Sequence, residues 1–250
     1  MQDFVIENGK LIKFNGKNIE VAYVPKGVVS IGEDAFNLAD NKLKEIVISS
    51  TVKELESSSL STVWAEKVVI PDTVEKIHDG VLFESVSLKY ASIPSWMTKI
   101  NVETFGLCTR LEEISKPNTV EEVCDSGFYR CNSLKSIDLT GVKKIGVYAF
   151  YECQCLKEVD LSTVTELGDC AFESCSGLKK VTLSNNIERI GEYTFWGCKN
   201  LTKIEIPKSV KSIGKYAFGD CTSLAEIRVP KGCILSENWN ANCPAEVVCY

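Results

Sequence analysis

Residues 178–198 read LKKVTLSNNIERIGEYTFWGC and residues 201–221 read LTKIEIPKSVKSIGKYAFGDC, two successive copies of one motif. Their common pattern is Leu-x-x-Ile-x-Ile-x-x-x-Val-x-x-Ile-Gly-x-x-Ala-Phe-x-x-Cys, in which aliphatic residues replace one another. Further copies follow at intervals of 22 to 23 residues and open at Leu224, Leu156, Leu134, Leu111 and Leu88. A fixed period of this length predicts a solenoid, whose successive coils bury one another's apolar faces.

The repeats cover most of the chain. Weaker copies near residues 24–36, 43–55 and 68–77 bring the total to about ten coils, the tenth incomplete, so we predict a solenoid over residues 21–231. Residues 1–20 contain two Asn-Gly pairs between apolar-rich runs, which is typical of tight hairpins, and we predict a β-hairpin cap there. Residues 232–250 lose the Ala-Phe signature and are predicted to form a C-terminal cap.

Each coil divides into three parts. The opening Leu-x-x-Ile-x-Ile ends in period-2 alternation, which predicts a short strand, and the middle Val-x-x-Ile predicts a second inward-facing turn or very short strand. The closing Ala-Phe-x-x-Cys places apolar residues three apart, which fits one helical turn. We therefore expect an α/β solenoid with short parallel strands on one face and short helical turns on the other.

Two positions of the motif form regular columns through the predicted stack. One holds Phe36, Phe105, Phe128, Phe150, Phe172, Phe195 and Phe218. The other holds six of the twelve cysteines, namely Cys108, Cys131, Cys153, Cys175, Cys198 and Cys221. Ala39 and Val63 occupy the same place in earlier coils, so we interpret it as a small buried apolar slot filled by reduced thiols. A disulfide among Cys233, Cys243 and Cys249 stays open.

Composition excludes several classes of function. A net charge of −6 argues against nucleic-acid binding, and no apolar run reaches the length of a membrane span. His78 is the only histidine and stands where most coils have glycine, so we expect a capping or solvent-facing role. No phosphate loop, nucleophile elbow or zinc-ligand spacing is present. We therefore predict a protein that is not an enzyme and uses no metal or cofactor.

The outward positions of the predicted strands are the candidate binding residues. In the middle coils these positions are acidic, whereas the last three coils mix both signs and the first coils contribute the apolar Val47 and Val69. Such a graded face suits a basic or extended protein partner. The predicted ligand-binding residues are Tyr90, Glu113, Asp138, Glu158, Asp160, Thr182 and Glu205.

The Ile-Gly-x-x-Ala-Phe-x-x-Cys segment resembles the BspA-like, or Treponema-type, leucine-rich repeat family over about residues 21–230. The resemblance implies a right-handed, curved solenoid, and many members of that family are bacterial surface or secreted proteins that bind host proteins or mediate adhesion. The start Met1-Gln2-Asp3-Phe4 has no signal-peptide pattern, so a cytoplasmic location is expected if Met1 is the native start, and a surface or secreted one by the resemblance.

Three functions follow from this reading of the sequence. The first is a non-enzymatic module that presents its strand face to a protein ligand, in adhesion for example. The second is a structural or intracellular scaffold whose exposed face has no specific ligand. The third is a carbohydrate-binding surface that uses Tyr90, Trp96 or Trp64.

Overall fold

The computed structural model describes residues 4–37 and 42–250. They form a β-solenoid of about eleven coils, and nearly every coil contributes one strand to each of two parallel ladders. The prediction of a solenoid with short parallel strands is therefore confirmed, with about one coil more than expected. Within the described residues, no helix is long and apolar enough to cross a membrane.

The first ladder, called the long-strand ladder, comes from the Leu-x-x-Ile-x-Ile part of the motif. With strands numbered in chain order, it consists of β3 (Val21–Tyr23), β5 (Glu45–Val47), β7 (Lys67–Val69), β9 (Tyr90–Ser92), β11 (Glu113–Ser115), β14 (Glu158–Leu161), β16 (Lys180–Leu183), β18 (Lys203–Glu205), β20 (Glu226–Val229) and β22 (Glu246–Cys249). Its pairing runs in three segments, β3 to β11, β14 with β16, and β18 to β22. The coil that opens at Leu134 has no strand at residues 136–138.

The second ladder, called the short-strand ladder, comes from the Val-x-x-Ile part. After β2 (Lys10–Phe14) it contains β4 (Ser30–Ile31), β6 (Glu54–Leu55), β8 (Lys76–Ile77), β10 (Lys99–Ile100), β12 (Glu122–Val123), β13 (Lys144–Ile145), β15 (Glu166–Leu167), β17 (Arg189–Ile190), β19 (Ser212–Ile213) and β21 (Ile234–Leu235). All pairs between neighbouring coils are parallel. In each strand from β4 on, one residue faces outward while the next is generally apolar and buried, as expected from the period of 2.

The third part of each coil, called the turn side, was expected to be helical, and that prediction is wrong. Tyr148 and Glu152 have φ values of 55°, in the left-handed region that an α-helix excludes. The backbone amides of the turn side also alternate between hydrogen-bond acceptors in their own coil and acceptors in the next coil. The amide of Tyr151 bonds to the carbonyl of Tyr148 in its own coil, whereas that of Phe150 bonds to Ala171 in the next coil, at 2.8 Å. Every second amide is thus committed to the neighbouring coil, so no continuous helix can form.

The glycine that opens the turn side has a packing reason. A Cβ on Gly168 would lie 2.5 Å from the carbonyl carbon of Gly146, its counterpart in the preceding coil. The two backbones approach too closely there for a side chain, although φ at Gly168 is not in the left-handed region. The spacing between these two coils therefore explains glycine at Gly168, although His78 shows that another coil accepts a side chain at the equivalent position.

The core is a set of columns that run along the stack. The seven phenylalanines of the predicted column are all fully buried, and those from Phe105 to Phe218 stack at centroid distances of 5.1 to 5.7 Å. Leu60 and Leu82 fill the same column in two earlier coils. The six column cysteines and Val63 are also fully buried, while Ala39 lies outside the described residues. All twelve cysteines are free thiols.

Both ends of the stack differ from the repeats. At the N-terminal end β1 (Phe4–Glu7) pairs antiparallel with β2 through Asn8 and Gly9, which have positive φ as a tight hairpin turn requires. At the C-terminal end, residues 232–250 form a further coil whose strands β21 and β22 continue both ladders. Trp239 stands at the position of the alanine that precedes the column phenylalanine, and its ring meets Phe218 edge-on at 6.1 Å.

Candidate binding surface

The strand face consists of the outward-pointing side chains of the long-strand ladder. Alternation in each strand buries the central residue, such as Val159 or Ile204, and directs its neighbours to the exterior. The parallel register aligns equivalent positions of successive coils, so that Glu113 lies beside Tyr90, Asp160 beside Thr182 and Glu205 beside Arg228. The repeat thereby sets rows of side chains at a constant spacing across the coils.

Six of the seven predicted site residues lie on strands of this face. Asp138 is the exception, because its coil has no strand there. Tyr90 is half-buried, and the other six are exposed. The seven do not form one cluster, since they extend over six coils of the stack.

Ion pairs between neighbouring coils neutralise both ends of the strand face. Near the N-terminal end Glu45 Oε1 lies 3.3 Å from Lys67 Nζ. Near the C-terminal end Glu205 Oε2 lies 3.6 Å from Arg228, and Glu226 lies within 4.0 Å of both Lys203 and Arg228. Because equivalent positions of neighbouring coils lie side by side, opposite charges at these positions form ion pairs.

The middle of the strand face lacks such pairs. Across the described ranges 4–37 and 42–250, no lysine or arginine nitrogen lies within 4.0 Å of a carboxylate oxygen of Glu113 or Glu158. Lys180 is beside Glu158 in register and still makes no ion pair with it. Among the described residues, these two exposed glutamates therefore have no basic partner on this face.

Asp138 and Asp160 have local roles in the backbone. Asp138 Oδ1 accepts a hydrogen bond from the Thr140 amide at 2.8 Å, and Asp160 Oδ1 accepts one from the Ser162 amide at 2.9 Å. Hydrogen bonds from the Thr140 side chain and amide hold the pKa of Asp138 below its usual value. Both aspartates thus fix the turn that ends their segment, an Asx arrangement that the spacing Asp-x-Thr or Asp-x-Ser could have revealed.

An apolar stripe lies on the N-terminal half of the strand face. Tyr23, Val47 and Val69 are in register on β3, β5 and β7, with 60%, 37% and 40% of each residue exposed. Val47 and Val69 were expected there from the sequence, whereas Tyr23 was missed. Its place in the alternating Val21-Ala22-Tyr23 is the signal that identifies it.

Thr182 and Glu205 line a depression at the C-terminal end of the face. It has a volume of about 440 Å³ and is also lined by Pro207, Lys208 and Tyr250. Tyr250 is held by a hydrogen bond from its hydroxyl to the Ile206 carbonyl at 2.7 Å, and the guanidinium of Arg228 lies 5.2 Å from its ring centroid. Tyr250 was not predicted as part of this face, and it lies there because β22 pairs in parallel with β20 and continues the ladder to the C-terminal end.

The aromatic residues of the predicted carbohydrate surface are not brought together. Trp64 lines a depression with Glu66 and Arg110, and Trp96 lines a different one with His78 and Asn101. Tyr90 lies apart from both on the strand face. His78 itself is partly exposed, and its Nε2 lies 2.8 Å from Glu54 Oε1. Within the described part of the chain, no group of three or more histidine, cysteine or carboxylate side chains could hold a metal.

Comparisons with known proteins agree on the architecture. The leucine-rich repeat protein of T. pallidum is 27% identical, with a TM-score of 0.59 over 66% of this chain and 81% of that one. A leucine-rich repeat protein of Eubacterium ventriosum is 20% identical, with a TM-score of 0.50 over 96% and 91%. A leucine rich cell surface protein of Faecalibacterium prausnitzii is 19% identical, with a TM-score of 0.48 over 99% and 92%. The comparison with curated proteins gave no match.

The match to a family rests on the repeats themselves. Six copies of the family described as BspA type Leucine rich repeat region match, within residues 12–135, 80–198 and 123–245. These ranges contain both ladders except for β22 and the start of β2, and all of the columns of phenylalanine and cysteine. The chain therefore belongs to the BspA-type leucine-rich repeat family.

Proposed function

We propose that this chain is a non-enzymatic protein-binding module whose strand face receives a basic surface of a partner protein. The observation that carries the proposal is the pair of exposed glutamates, Glu113 and Glu158, which lack basic partners in the middle of a face whose two ends are ion-paired. Complementary charge at such a position speeds association and selects the partner.

The apolar stripe supports a partner of mixed character. Tyr23, Val47 and Val69 border the acidic middle on the same face, and burial of apolar area supplies affinity that exposed charges alone do not. The proposed ligand is thus a protein that presents apolar side chains next to lysines or arginines. Adhesion through this face and a location at the cell surface belong to the proposal and rest on the family resemblance.

The test compares two double variants that remove the same charge. Glu113→Gln with Glu158→Gln alters the acidic middle, while Glu33→Gln with Glu237→Gln removes two exposed carboxylates from the turn side. Each immobilised protein is used to capture partners from host and bacterial lysates, and the dissociation constant of each purified partner is then measured by calorimetry.

We expect a basic partner that the wild type and the turn-side variant bind alike. Its affinity for the strand-face variant should fall by roughly tenfold or more, and raising the salt concentration should weaken binding to the wild type. Equal affinity for both double variants would exclude the acidic middle as the binding site. That result would favour a scaffold without a specific ligand on this face.

A further inference from the structure

A second surface of distinctive composition lies on the turn side, around Glu173. Tyr148 and Tyr151 belong to the coil before Glu173, and their rings meet edge-on at a centroid distance of 5.6 Å. Tyr193 belongs to the coil after Glu173 and stacks on Tyr216 at 5.0 Å. Glu173 therefore lies between two coils that both carry aromatic side chains, and a second carboxylate, Glu152, lies next to Tyr151.

Backbone contacts between the coils bring these groups together, since the Glu152 amide bonds to the Glu173 carbonyl at 2.8 Å and the Phe172 amide bonds to the Thr194 carbonyl at 2.9 Å. Burial raises the pKa of Tyr151 to about 12 and also raises that of Tyr193, and the charge of Glu173 adds to both shifts. A hydrogen bond to Cys170 raises the pKa of Tyr148, with Glu173 contributing again. Glu173 thus contributes to the pKa shifts of three tyrosines, and for Tyr151 a hydrogen bond to Glu152 is a larger cause.

Glu173 has no cation to balance it. In the segments that the structure describes, no basic nitrogen lies within 4.0 Å of its carboxylate, which is half-buried. Burial raises the pKa of Glu173, an effect to which Glu152 adds and which a hydrogen bond to Cys170 partly offsets. The nearby acidic groups Glu152 and Asp169 are each paired with an arginine, Arg130 and Arg189.

Arg130, elsewhere on the turn side, shows that a guanidinium group can lie among tyrosine rings and a carboxylate. The guanidinium carbon of Arg130 lies 5.4 Å from the ring centroid of Tyr129 and 5.9 Å from that of Tyr151. Its Nε lies 3.1 Å from Glu152 Oε2, so one guanidinium contacts two rings and a carboxylate. Glu173 repeats the position of Tyr151 one coil further on and has tyrosines beside it, without an arginine of its own.

We propose that Tyr148, Tyr151, Tyr193 and Glu173 form a second docking site, which takes the guanidinium group of an arginine on a partner protein. A guanidinium is planar and weakly hydrated, so it can lie against a phenol ring while its N–H groups donate to a carboxylate. Negative charge without a basic partner among aromatic rings favours this occupant over a neutral or acidic one. The site is separate from the strand face and does not depend on the function proposed for it.

The site can be tested with small probes on the whole chain. N-acetyl-arginine amide is titrated into protein carrying carbon-13 in its tyrosine rings, and the eight tyrosines are followed by NMR. Parallel titrations use N-acetyl-lysine amide, which has a compact charge, and N-acetyl-citrulline amide, which has nearly the same shape as the arginine probe and no charge. We expect saturable shifts at Tyr148, Tyr151 and Tyr193 with the arginine probe, roughly tenfold weaker binding of the lysine probe, and no saturation with citrulline.

Variants complete the test. Glu173→Gln should abolish saturable shifts at the three tyrosines, whereas Glu237→Gln, an exposed control on the turn side, should leave them unchanged. Tyr193→Leu serves as a second variant that keeps the carboxylate, and thermal melting verifies that each variant is folded. Equal binding of arginine by wild type and folded Glu173→Gln, equal binding of citrulline, or shifts confined to Tyr23, Tyr90 and Tyr250 would each overturn the proposal.

Discussion

The thiol of Cys175 donates a hydrogen bond to the backbone carbonyl of Phe150, 3.0 Å away in the preceding coil. The same bond repeats along the stack from Cys108, Cys131, Cys153, Cys198 and Cys221. In an earlier coil Ser85 occupies the slot and its hydroxyl donates to the Leu60 carbonyl at 3.2 Å. The interpretation of this slot as simply apolar is therefore incomplete, because most of its occupants give a second hydrogen bond to a carbonyl that also accepts a backbone amide.

The first prediction concerns this hydrogen bond. Cys175→Ser keeps a donor of similar size, whereas Cys175→Ala removes one of the two donors to the Phe150 carbonyl and leaves only the Cys153 amide, at 3.2 Å. We expect the alanine variant to lose about 0.5–1.5 kcal/mol of unfolding free energy, the net value of one hydrogen bond, and the serine variant less. Urea unfolding followed by circular dichroism measures both. If the alanine variant is as stable as the serine variant, the thiol contributes by packing alone.

The second prediction concerns the reactivity of the column thiols. Burial raises the pKa of Cys108, Cys175 and Cys221 to about 12, so these thiols stay protonated in the folded chain at neutral pH. A disulfide-exchange reagent should react rapidly with the exposed Cys155 and Cys249, and with the six column cysteines only after denaturant is added. Rapid modification of all six in the native protein would contradict their burial.

The same burial predicts a loss of stability in alkali. The column thiols ionise near pH 9 when the chain is unfolded and near pH 12 when it is folded, so the unfolded state binds fewer protons between these values. Stability is therefore complete below pH 9 and falls as pH rises from 9 towards 12, by at most about 1.4 kcal/mol per pH unit for each thiol. Thermal melts across this range should show a shallower decline for Cys175→Ser, and an identical slope would argue against the effect.

The sequence and the structure agree where a property depends on one repeat and diverge where it depends on two. The spacing of Phe172 and Cys175 was sufficient to place both in the core. The predicted helix does not form because the amide of Phe150 bonds to the carbonyl of Ala171 in the next coil. The sequence of a single repeat does not reveal this contact. The free charge of Glu158 likewise becomes visible only when Lys180 is found beside it without an ion pair.

The fourth prediction concerns the phenylalanine column. Phe172 stacks between Phe150 at 5.1 Å and Phe195 at 5.7 Å and is fully buried. Phe172→Ala should cost about 3–5 kcal/mol, because the cavity cannot collapse between two coils. Phe172→Leu should cost clearly less, since leucine fills the same column in two natural coils. Calorimetric melting of both variants tests this order, and a reversed order would show that the coils relax around the missing ring.

The last prediction separates the structural from the free carboxylates of the strand face. Asp160 and Glu158 lie on the same strand and both are exposed, and only Asp160 accepts a backbone hydrogen bond, from Ser162. Asp160→Lys should therefore destabilise the fold by about 1 kcal/mol, by analogy with the loss of a capping side chain, whereas Glu158→Lys should change stability by no more than about 0.5 kcal/mol.

Asp160→Asn preserves an acceptor oxygen and should retain most of the stability. Urea unfolding of the three variants gives the comparison, and equal stability of Asp160→Lys and Glu158→Lys would show that the turn does not need the carboxylate. The expected result also decides how binding is tested. A reversal of charge at Asp138 or Asp160 would combine lost charge with a disturbed turn, so only Glu113 and Glu158 report on the charge of the strand face alone.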